Sequence, residues 1–311
     1  MILIRSPATS AQATQILADK GKSFYWASHF LGKKYLSRAT QLYGFCRYLD
    51  DLVDEEELQE LAKQKIIAAR QDIAKGISDH PILNDGIALL GYCHVPQDIV
   101  FDLIMGIESD TELVRVANKR DLLHYCYQVA GTVGLMMCGA LDVTDPAARP
   151  YAIDLGIAMQ LTNICRDIKA DGLVNRRYIP ADLIENIEVS FLINPNEEQA
   201  KVIQNAVAKL LQLADTYYQS GERGLSYLPL RARFSIFIAV RIYHGIGNQL
   251  KSENYEYWHA RIIVSATRKF VITILTLGSI CLNRHFWFHP KKHDARQQKY
   301  LLNATSHSEF Y

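Results

Sequence analysis

Apolar residues recur at intervals of three and four along much of the chain, which is the spacing of one face of an α-helix. Strict alternation of apolar and polar residues, the pattern of a half-buried strand, is hard to find. The pattern therefore predicts an all-α protein, with helices over residues 37–53, 59–75, 119–140, 151–168, 197–219 and 234–250.

Residues that break helices fall between these segments, around 78–84, 142–150, 172–180, 194–196 and 221–229. No stretch has the Gly, Ser or Pro content of a flexible linker, and no repeat of a solenoid period is present. We predict an N-terminal extension over residues 1–20, a single helical domain over 21–282, and a basic and aromatic C-terminal tail over 283–311.

Composition narrows the class of partner. Hydrophobic residues make up 49% of the chain, so it can bury a large core. Lys and Arg number 34 against 33 Asp and Glu, and the net charge of +1 gives no positive field to attract a nucleic acid, which we exclude as a partner. The first residues lack the pattern of a secretory signal, and the cysteines form no C-x-x-C pair, so we expect a cytoplasmic protein.

The most apolar segment, residues 270–282, is only 13 residues long. A membrane-spanning helix needs roughly 20 apolar residues, so this segment is too short to cross a bilayer. Aromatic and basic residues mix over 284–293, as they do at membrane interfaces. Two interpretations stay open: a C-terminal core helix followed by a solvated tail, or a peripheral membrane contact over residues 270–290.

The predicted helix over 37–53 and its end carry an acidic stripe. Tyr43, Arg47, Asp50 and Asp54 advance by four, three and four residues, so they share one side of the helix next to its apolar face. The two carboxylates stack one turn apart, where like charges destabilise a helix unless something neutralises them. A solvated helix end running into three further glutamates explains this stripe equally well.

A second stripe of the same design lies more than a hundred residues later. Gln160, Asn163, Asp167 and Asp171 step three, four and four along one face, and the neighbouring residues are apolar. Buried carboxylates need cations. Carboxylate and amide oxygens suit Mg²⁺, whereas neither stripe offers the His or Cys ligands of Zn²⁺. Two facing stripes predict a Mg²⁺ site completed by a diphosphate, with nearby arginines on its outer oxygens.

With these residues in hand, the chain resembles the squalene/phytoene synthase family, and most closely its phytoene synthase branch. The matching blocks occur in order at residues 21–25, 43–54, 125–134, 160–167 and 176–180, with a weaker block at 242–247. The resemblance implies an isoprenoid-synthase helical bundle around a central apolar cavity, with both aspartate motifs at its mouth.

The activity implied by the resemblance is a prenyl transfer in carotenoid biosynthesis. Two geranylgeranyl diphosphates join head to head into phytoene, through a cyclopropylcarbinyl (prephytoene) diphosphate, with release of diphosphate. The second step ends in loss of a proton rather than addition of hydride, so no nicotinamide cofactor is expected. A hydrocarbon product of this size also implies transient contact with a membrane surface, and so a location peripheral to the membrane.

The resemblance also assigns roles to residues. The Mg²⁺ ligands, which Mn²⁺ could share, are Asp50, Asp54, Asn163, Asp167 and Asp171. The residues that bind substrate diphosphate are Ser23, Phe24, Arg47, Arg166 and Arg176. The catalytic positions near the reacting carbons are Tyr43, Tyr125, Gln160, Tyr178 and Tyr243. Tyr125 and Tyr243 have a second interpretation, as ordinary core tyrosines with satisfied hydroxyls.

The sequence departs from the family pattern at two places. Ala170 stands where many relatives carry an acidic residue, which bears on the number of bound metal ions. An Asn175-Arg176-Arg177 run replaces the commoner Gly-Arg, so either arginine could contact phosphate. Two alternatives to phytoene synthesis also stay open: formation of squalene or dehydrosqualene from farnesyl diphosphate, and a non-catalytic assembly factor of the same helical fold.

Overall fold

The computed structural model describes residues 7–56, 58–295 and 298. Over these residues the chain forms α-helices with short 3₁₀ and π segments and no β-strand. Two extended segments meet only in an isolated parallel bridge between Arg115 and Arg177. The all-α prediction is confirmed.

The six predicted helices are all present. In chain order the helices are α1 (Pro7–Lys20), α2 (Lys22–Ser28), α3 (Lys33–Asp54), α4 (Gln59–Lys75), α5 (Pro81–Tyr92), α6 (Gln97–Ser109), α7 (Lys119–Cys126), α8 (Thr132–Ala140), α9 (Arg149–Leu173), α10 (Val189–Ile193), α11 (Glu197–Arg223), α12 (Leu230–Ser252), α13 (Ala266–Ser279) and α14 (Arg284–Trp287). A π segment, Tyr127–Gly131, joins α7 to α8 inside the predicted helix over 119–140. The breaker predicted around 78–84 instead contains the start of α5, because Pro81 occupies the first turn, where proline needs no amide hydrogen bond.

Helix α9 is the centre of the packing. It lies most extensively against α11 and also contacts α8, α12 and the π segment. Ile157, Ala158 and Leu161 of α9 are fully buried, which accounts for the apolar stripe beside its acidic one. A second apolar cluster joins α3 to α4, α5, α6 and α8. Residues of both clusters border the cavity that holds the candidate site.

Two glycines let the backbones around α9 approach closely. A Cβ atom on Gly134 would lie 2.3 Å from the carbonyl oxygen of Ala152, and one on Gly156 would lie 2.2 Å from that of Ala130. Both distances are too short for any side chain. The glycine in the 125–134 block therefore sets how near α8 and the π segment lie to the acidic helix.

Both ends of the described chain pack against the helical body. Ala13 and Leu17 of α1 are buried against it, and Phe286 of α14 is fully buried. His293 and Gln298 both hydrogen-bond the buried carboxylate of Asp154. The domain bounds at residues 20 and 282 stay predictions, and the parts of the predicted extension and tail at 1–6, 296–297 and 299–311 lie outside the described residues.

Candidate active site

A cavity of about 860 Å³ occupies the middle of the bundle. All fifteen residues that the sequence assigned to the site line this cavity, although they come from positions as far apart as Ser23 and Tyr243. The rest of its wall is largely apolar and includes Val129, Val133, Met137, Leu141, Leu155, Met159, Leu225 and Ile236. The structure thus joins a polar, charged end to an apolar interior.

The two acidic stripes border the same cavity, one from α3 and one from α9. Burial raises the pKa of Asp50 to about 7. Burial and, after it, the nearby Asp167 raise the pKa of Asp171 to about 7. The side chain of Asp54 is 41% exposed, so this end of the cavity opens to solvent. Two carboxylates on opposite walls therefore resist ionisation unless a cation joins them.

Arginines pair with the other acidic groups. Nη1 of Arg176 lies 2.7 Å from Oδ1 of Asp54, and its Nη2 donates to the carbonyl oxygen of Asp110. Asp167 accepts hydrogen bonds from Arg166 and, at 2.8 Å, from Nε of Arg261. Burial opposes ionisation of Asp167, but these arginines hold its pKa below the usual value. Arginines therefore border the acidic end of the cavity, each paired with a carboxylate.

Arg47 lies on the α3 wall and forms an ion pair with Asp51, one turn further along. Its Nε atom is buried and has no hydrogen-bond partner among the described residues, and the same holds for Oδ1 of Asn163 on the facing helix. Buried polar atoms are nearly always paired, so these two mark positions that a bound ligand would satisfy.

The oxygen donors fit a hard divalent cation better than a softer metal. Asp50, Asp54, Asn163, Asp167 and Asp171 supply carboxylate and amide oxygens, and the cavity lining adds no histidine near them. In the described part of the chain, no group of three or more His, Cys, Asp and Glu residues is close enough to hold a metal by itself. The protein ligands are thus split between two walls, as suits an ion whose coordination is completed by substrate phosphate and water.

An additional carboxylate, absent from the residues predicted by sequence, joins two predicted tyrosines. Tyr178 donates its hydroxyl to Oδ1 of Asp110 at 2.7 Å, and Tyr125 donates to Oδ2 at 2.9 Å. The two rings stack with centroids 4.8 Å apart. Burial raises the pKa of Asp110 to about 6, although both hydrogen bonds favour its charged form. Tyr125 is therefore a cavity tyrosine whose hydroxyl is held in place.

Three aromatic rings form another part of the wall. The rings of Phe24 and Tyr243 have centroids 4.9 Å apart, and Tyr43 lies 6.3 Å from Phe24. Burial raises the pKa of both tyrosines, so their hydroxyls stay protonated. Gln160 lies nearby on α9 and accepts a weak hydrogen bond of 3.4 Å from Asn163. Neutral aromatic faces in an apolar cavity attract a cation that lies over the ring.

The structure distinguishes the two neighbouring arginines. Arg176 lines the cavity, whereas Arg177 does not. Arg177 bonds to Asn186 and holds the backbone bridge to the 114–116 segment. Ala170 is exposed and also lies outside the cavity lining.

Two charged residues of the site carried no recognisable sequence signal. Asp110 directly follows α6, and Gly106 interrupts the four-residue spacing that begins with Asp98 and Asp102. Arg261 lies in an irregular segment after α12, almost a hundred residues from its partner Asp167. Helical spacing finds residues that share one helix, so it could find neither of these.

Comparison with known proteins places the chain in a family. Residues 17–268 match the squalene/phytoene synthase family. The 15-cis-phytoene synthase of Pantoea ananas is 28% identical over 92% of this chain and 100% of that protein. The phytoene synthase of Cereibacter sphaeroides is 32% identical over 80% of this chain and 74% of that protein.

Solved structures agree on the fold. A dehydrosqualene synthase in complex with a ligand superposes with a TM-score of 0.77 and 24% identity, over 89% of this chain and 98% of that one. The squalene synthase HpnC from Alicyclobacillus acidocaldarius gives a TM-score of 0.68 at 19% identity, over 80% and 95% of the two chains.

This chain belongs to the squalene/phytoene synthase family. It is an enzyme, a prenyltransferase of the 15-cis-phytoene synthase type, as the sequence predicted. The alternative of a non-catalytic assembly factor is therefore wrong.

Proposed function

We propose that this enzyme joins two geranylgeranyl diphosphates head to head into phytoene, in two steps and within one cavity. The observation that carries the proposal is the opposition of two acidic helix faces, with arginines between them, at one end of an apolar cavity. Its similarity to bacterial phytoene synthases over most of the chain supports this choice of product.

In the first step, the bond between C1 and the diphosphate oxygen of one substrate breaks. The double bond of the second substrate attacks the resulting allylic cation, and loss of a proton closes a cyclopropane ring. In the second step, this cyclopropylcarbinyl diphosphate loses its own diphosphate, rearranges, and loses a second proton to give the central double bond. The sum needs no hydride donor, so we expect no nicotinamide.

The residues around the acidic end of the cavity would bind the diphosphate leaving group. Arg47, Arg166 and Arg176 are suited to the outer oxygens of a diphosphate, because a guanidinium matches phosphate geometry in a bidentate contact. Ser23, near the start of α2, offers a hydroxyl to the same region. Mg²⁺, or Mn²⁺, bound by Asp50, Asp54, Asn163, Asp167 and Asp171 would neutralise the charge that develops as diphosphate departs.

The aromatic residues of the cavity would stabilise the carbocation intermediates. The rings of Phe24, Tyr43 and Tyr243 present π faces to electron-poor carbons, and the apolar wall excludes the water that would quench them. Tyr125 and Tyr178 are fixed by Asp110, so their oxygens keep a constant position as the intermediate rearranges. Gln160 would act beside them, since it lines the same cavity one turn before Asn163 on α9.

A second substrate has one observation in its favour. The fold superposes well on a dehydrosqualene synthase, so a cavity of this architecture is compatible with farnesyl chains. The deciding experiment is incubation of the purified protein with Mg²⁺ and equal amounts of geranylgeranyl and farnesyl diphosphate, followed by product analysis. We expect the C40 hydrocarbon to dominate. A dominant C30 product would replace this proposal with the alternative.

We further propose that the enzyme works in the cytoplasm at a membrane surface, because a C40 hydrocarbon has almost no solubility in water. Over the described residues no helix is both long and apolar enough to cross a bilayer. Contact would therefore be made by the surface of the folded protein.

A further inference from the structure

Helix α13 is oriented with its polar side inward. Its buried residues are Lys269, Thr273 and Thr276, and Ile272 and Leu277 are partly buried beside them. The opposite side carries Phe270, Val271, Ile274 and Leu275, whose exposed fractions are 57%, 47%, 53% and 68%. An ordinary surface helix buries its apolar stripe. Ile272 and Leu277 of this segment do pack against the core, so α13 is a core-packed helix that also carries an exposed apolar side.

Hydrogen bonds on the buried side fix this orientation. Nζ of Lys269 donates to the carbonyl oxygen of Lys22 at 3.1 Å, and the indole of Trp26 donates to the hydroxyl of Thr273 at 3.0 Å. Burial lowers the pKa of Lys269, yet the residue is kept inside. Rotating α13 to hide its apolar stripe would break these contacts with α2 and expose their partners to an apolar surface.

The exposed apolar surface continues beyond the helix. Leu282 is 90% exposed, and Trp287 and Phe288 follow at 47% and 66%. The indole of Trp287 donates to the carbonyl oxygen of Ile280, which holds it beside the C-terminal end of α13. We refer to Phe270, Val271, Ile274, Leu275, Leu282, Trp287 and Phe288 as the α13 face.

The sequence around α13 carries charge of one sign. From residue 261 to residue 293 it contains no Asp or Glu. Arg261 is paired with Asp167 and Lys269 is buried, so the exposed cations of this segment are Arg268, Arg284, Lys291 and Lys292. A symmetric contact between two copies of the chain would bring these positive groups together. An anionic lipid surface instead offers an apolar layer for the face and negative headgroups for its rim.

The α13 face also adjoins the cavity. Lys269 of α13 and Ile263, Val264 and Arg261 in the segment before it all line the cavity wall. Phe270 is the next residue after Lys269 and lies on the exposed side. A bilayer touching the α13 face would thus lie one helix away from the site of reaction.

We propose that the α13 face docks this protein on the surface of an anionic lipid bilayer, with α13 lying flat and the cavity next to the lipid. The docking proposal depends only on the orientation and charge of α13 and not on the proposed function. The delivery of long prenyl chains and hydrocarbon product through this side rests on the proposed function.

Vesicle sedimentation without substrate tests docking directly. The full chain is mixed with vesicles of phosphatidylcholine, alone or with about one third phosphatidylglycerol. We expect the unchanged protein to bind the anionic vesicles, and to bind them more weakly at high salt. The variant Phe270→Ser/Ile274→Ser/Leu275→Ser should bind at least about tenfold more weakly, because it loses most of the apolar area that enters the lipid. The matched control is Leu58→Ser/Ile77→Ser, which removes equally exposed apolar side chains elsewhere and should bind as the unchanged protein does.

Docking would be overturned if the unchanged protein did not bind anionic vesicles, or if both variants lost binding equally. It would also be overturned if analytical ultracentrifugation showed that the unchanged protein is a dimer and the α13 variant a monomer, because the α13 face would then be a contact between two copies of the chain. The substituted side chains are exposed, so both variants should keep the helical circular dichroism and melting temperature of the parent.

A second readout separates docking from the proposed function. With substrate dispersed in detergent, the α13 variant should keep the parent's turnover, because none of its three changed residues lines the cavity. With substrate held in anionic vesicles, its turnover should fall at least about fivefold, in step with lost binding. Absence of turnover in the unchanged protein under both conditions would overturn the proposed function and leave the vesicle-binding result standing.

Discussion

Nη1 of Arg176 lies 2.7 Å from Oδ1 of Asp54, so the irregular segment after α9 is joined to the end of α3 across the open end of the cavity. The same guanidinium donates to the backbone of Asp110, where α6 ends. One arginine therefore contacts an acidic motif and the backbone next to the tyrosine pair. The guanidinium of Arg176 is therefore already oriented at the end of the cavity where a diphosphate would enter.

Removal of this guanidinium should impair catalysis. Arg176→Gln should lower kcat/KM by about 10- to 100-fold, since a hydrogen bond to a charged group contributes about 1.5–3 kcal/mol. Arg177→Gln is the matched control, because Arg177 lies outside the cavity and contacts Asn186. It should keep kcat/KM within about threefold when assayed below its melting temperature. Equal losses in both variants would contradict the assignment of Arg176.

The two acidic stripes should differ in how they affect stability. In metal-free protein above pH 7, Asp50→Asn should raise the melting temperature, because burial disfavours the Asp50 carboxylate. Asp167→Asn should lower it, because Arg166 and Arg261 both bond that carboxylate. Thermal melts of both variants without metal check the signs, and a shift in the same direction for both would contradict this electrostatic account.

Turnover should be lost in both of these variants. We expect kcat with Mg²⁺ to fall by about 1,000-fold or more, which corresponds to roughly 4 kcal/mol of transition-state stabilisation. Each variant keeps the size and helix of the parent, so circular dichroism should be unchanged. Turnover at the parent's rate in either variant would show that its carboxylate is dispensable.

Asp110 should position the two tyrosines. Asp110→Asn replaces one of the two acceptor oxygens with an NH₂ group, so one tyrosine hydroxyl can no longer donate at its present position and that ring is held less firmly. We expect kcat to fall by about 10- to 100-fold with little change in KM, because displacement of about 1 Å near the reacting atoms has this effect. Asp102→Asn is a useful control, since Asp102 accepts from Tyr127, which lies outside the cavity lining.

The pH dependence of stability provides an independent check on Asp110. Its pKa is about 6 in the folded protein, above the ordinary value near 4 of an unfolded chain, so the folded state binds the proton more tightly. The contribution of protonation to stability is fully present below about pH 4 and is lost as the pH rises through about 6. The difference in melting temperature between the parent and Asp110→Asn should follow this curve. A difference that stays constant with pH would show that Asp110 has an ordinary pKa.

Metal and diphosphate should bind together. We expect diphosphate to raise the melting temperature only when Mg²⁺ or Mn²⁺ is present, because the carboxylates of the two walls repel an anion that arrives alone. Chelation of the metal should abolish turnover, and added Mg²⁺ should restore it. Equal stabilisation by diphosphate with and without metal would mean that the arginines alone form the anion site.

The sequence predicted the parts of this site that lie on single helices. Asp50 and Asp54 on α3, and Asp167 and Asp171 on α9, follow helical spacing, so the spacing alone indicates that each pair faces one way. The family resemblance added Tyr125 and Tyr243, which lie on other helices. All of these line the cavity, while their chemical roles stay proposals.

The other features of the site and of α13 depend on tertiary contacts, which the spacing of residues along one helix does not reveal. Asp110 and Arg261 reach the site from the ends of helices or irregular segments, and their partners are distant in sequence. The inward-facing polar side of α13 depends on Trp26 and Lys22 of α2. Hydrophobicity alone predicts the opposite orientation for such a helix, since it assumes that water covers the exposed side.

The most direct test of the central claim is the stoichiometry of the reaction with geranylgeranyl diphosphate and Mg²⁺. Purified protein is incubated without any nicotinamide, and released diphosphate is measured together with the hydrocarbon product. We predict a C40 hydrocarbon with two diphosphates released for each molecule formed. Release of diphosphate with only C20 alcohol, or no release at all, would contradict the claim that the two acidic walls and the apolar cavity carry out one head-to-head condensation.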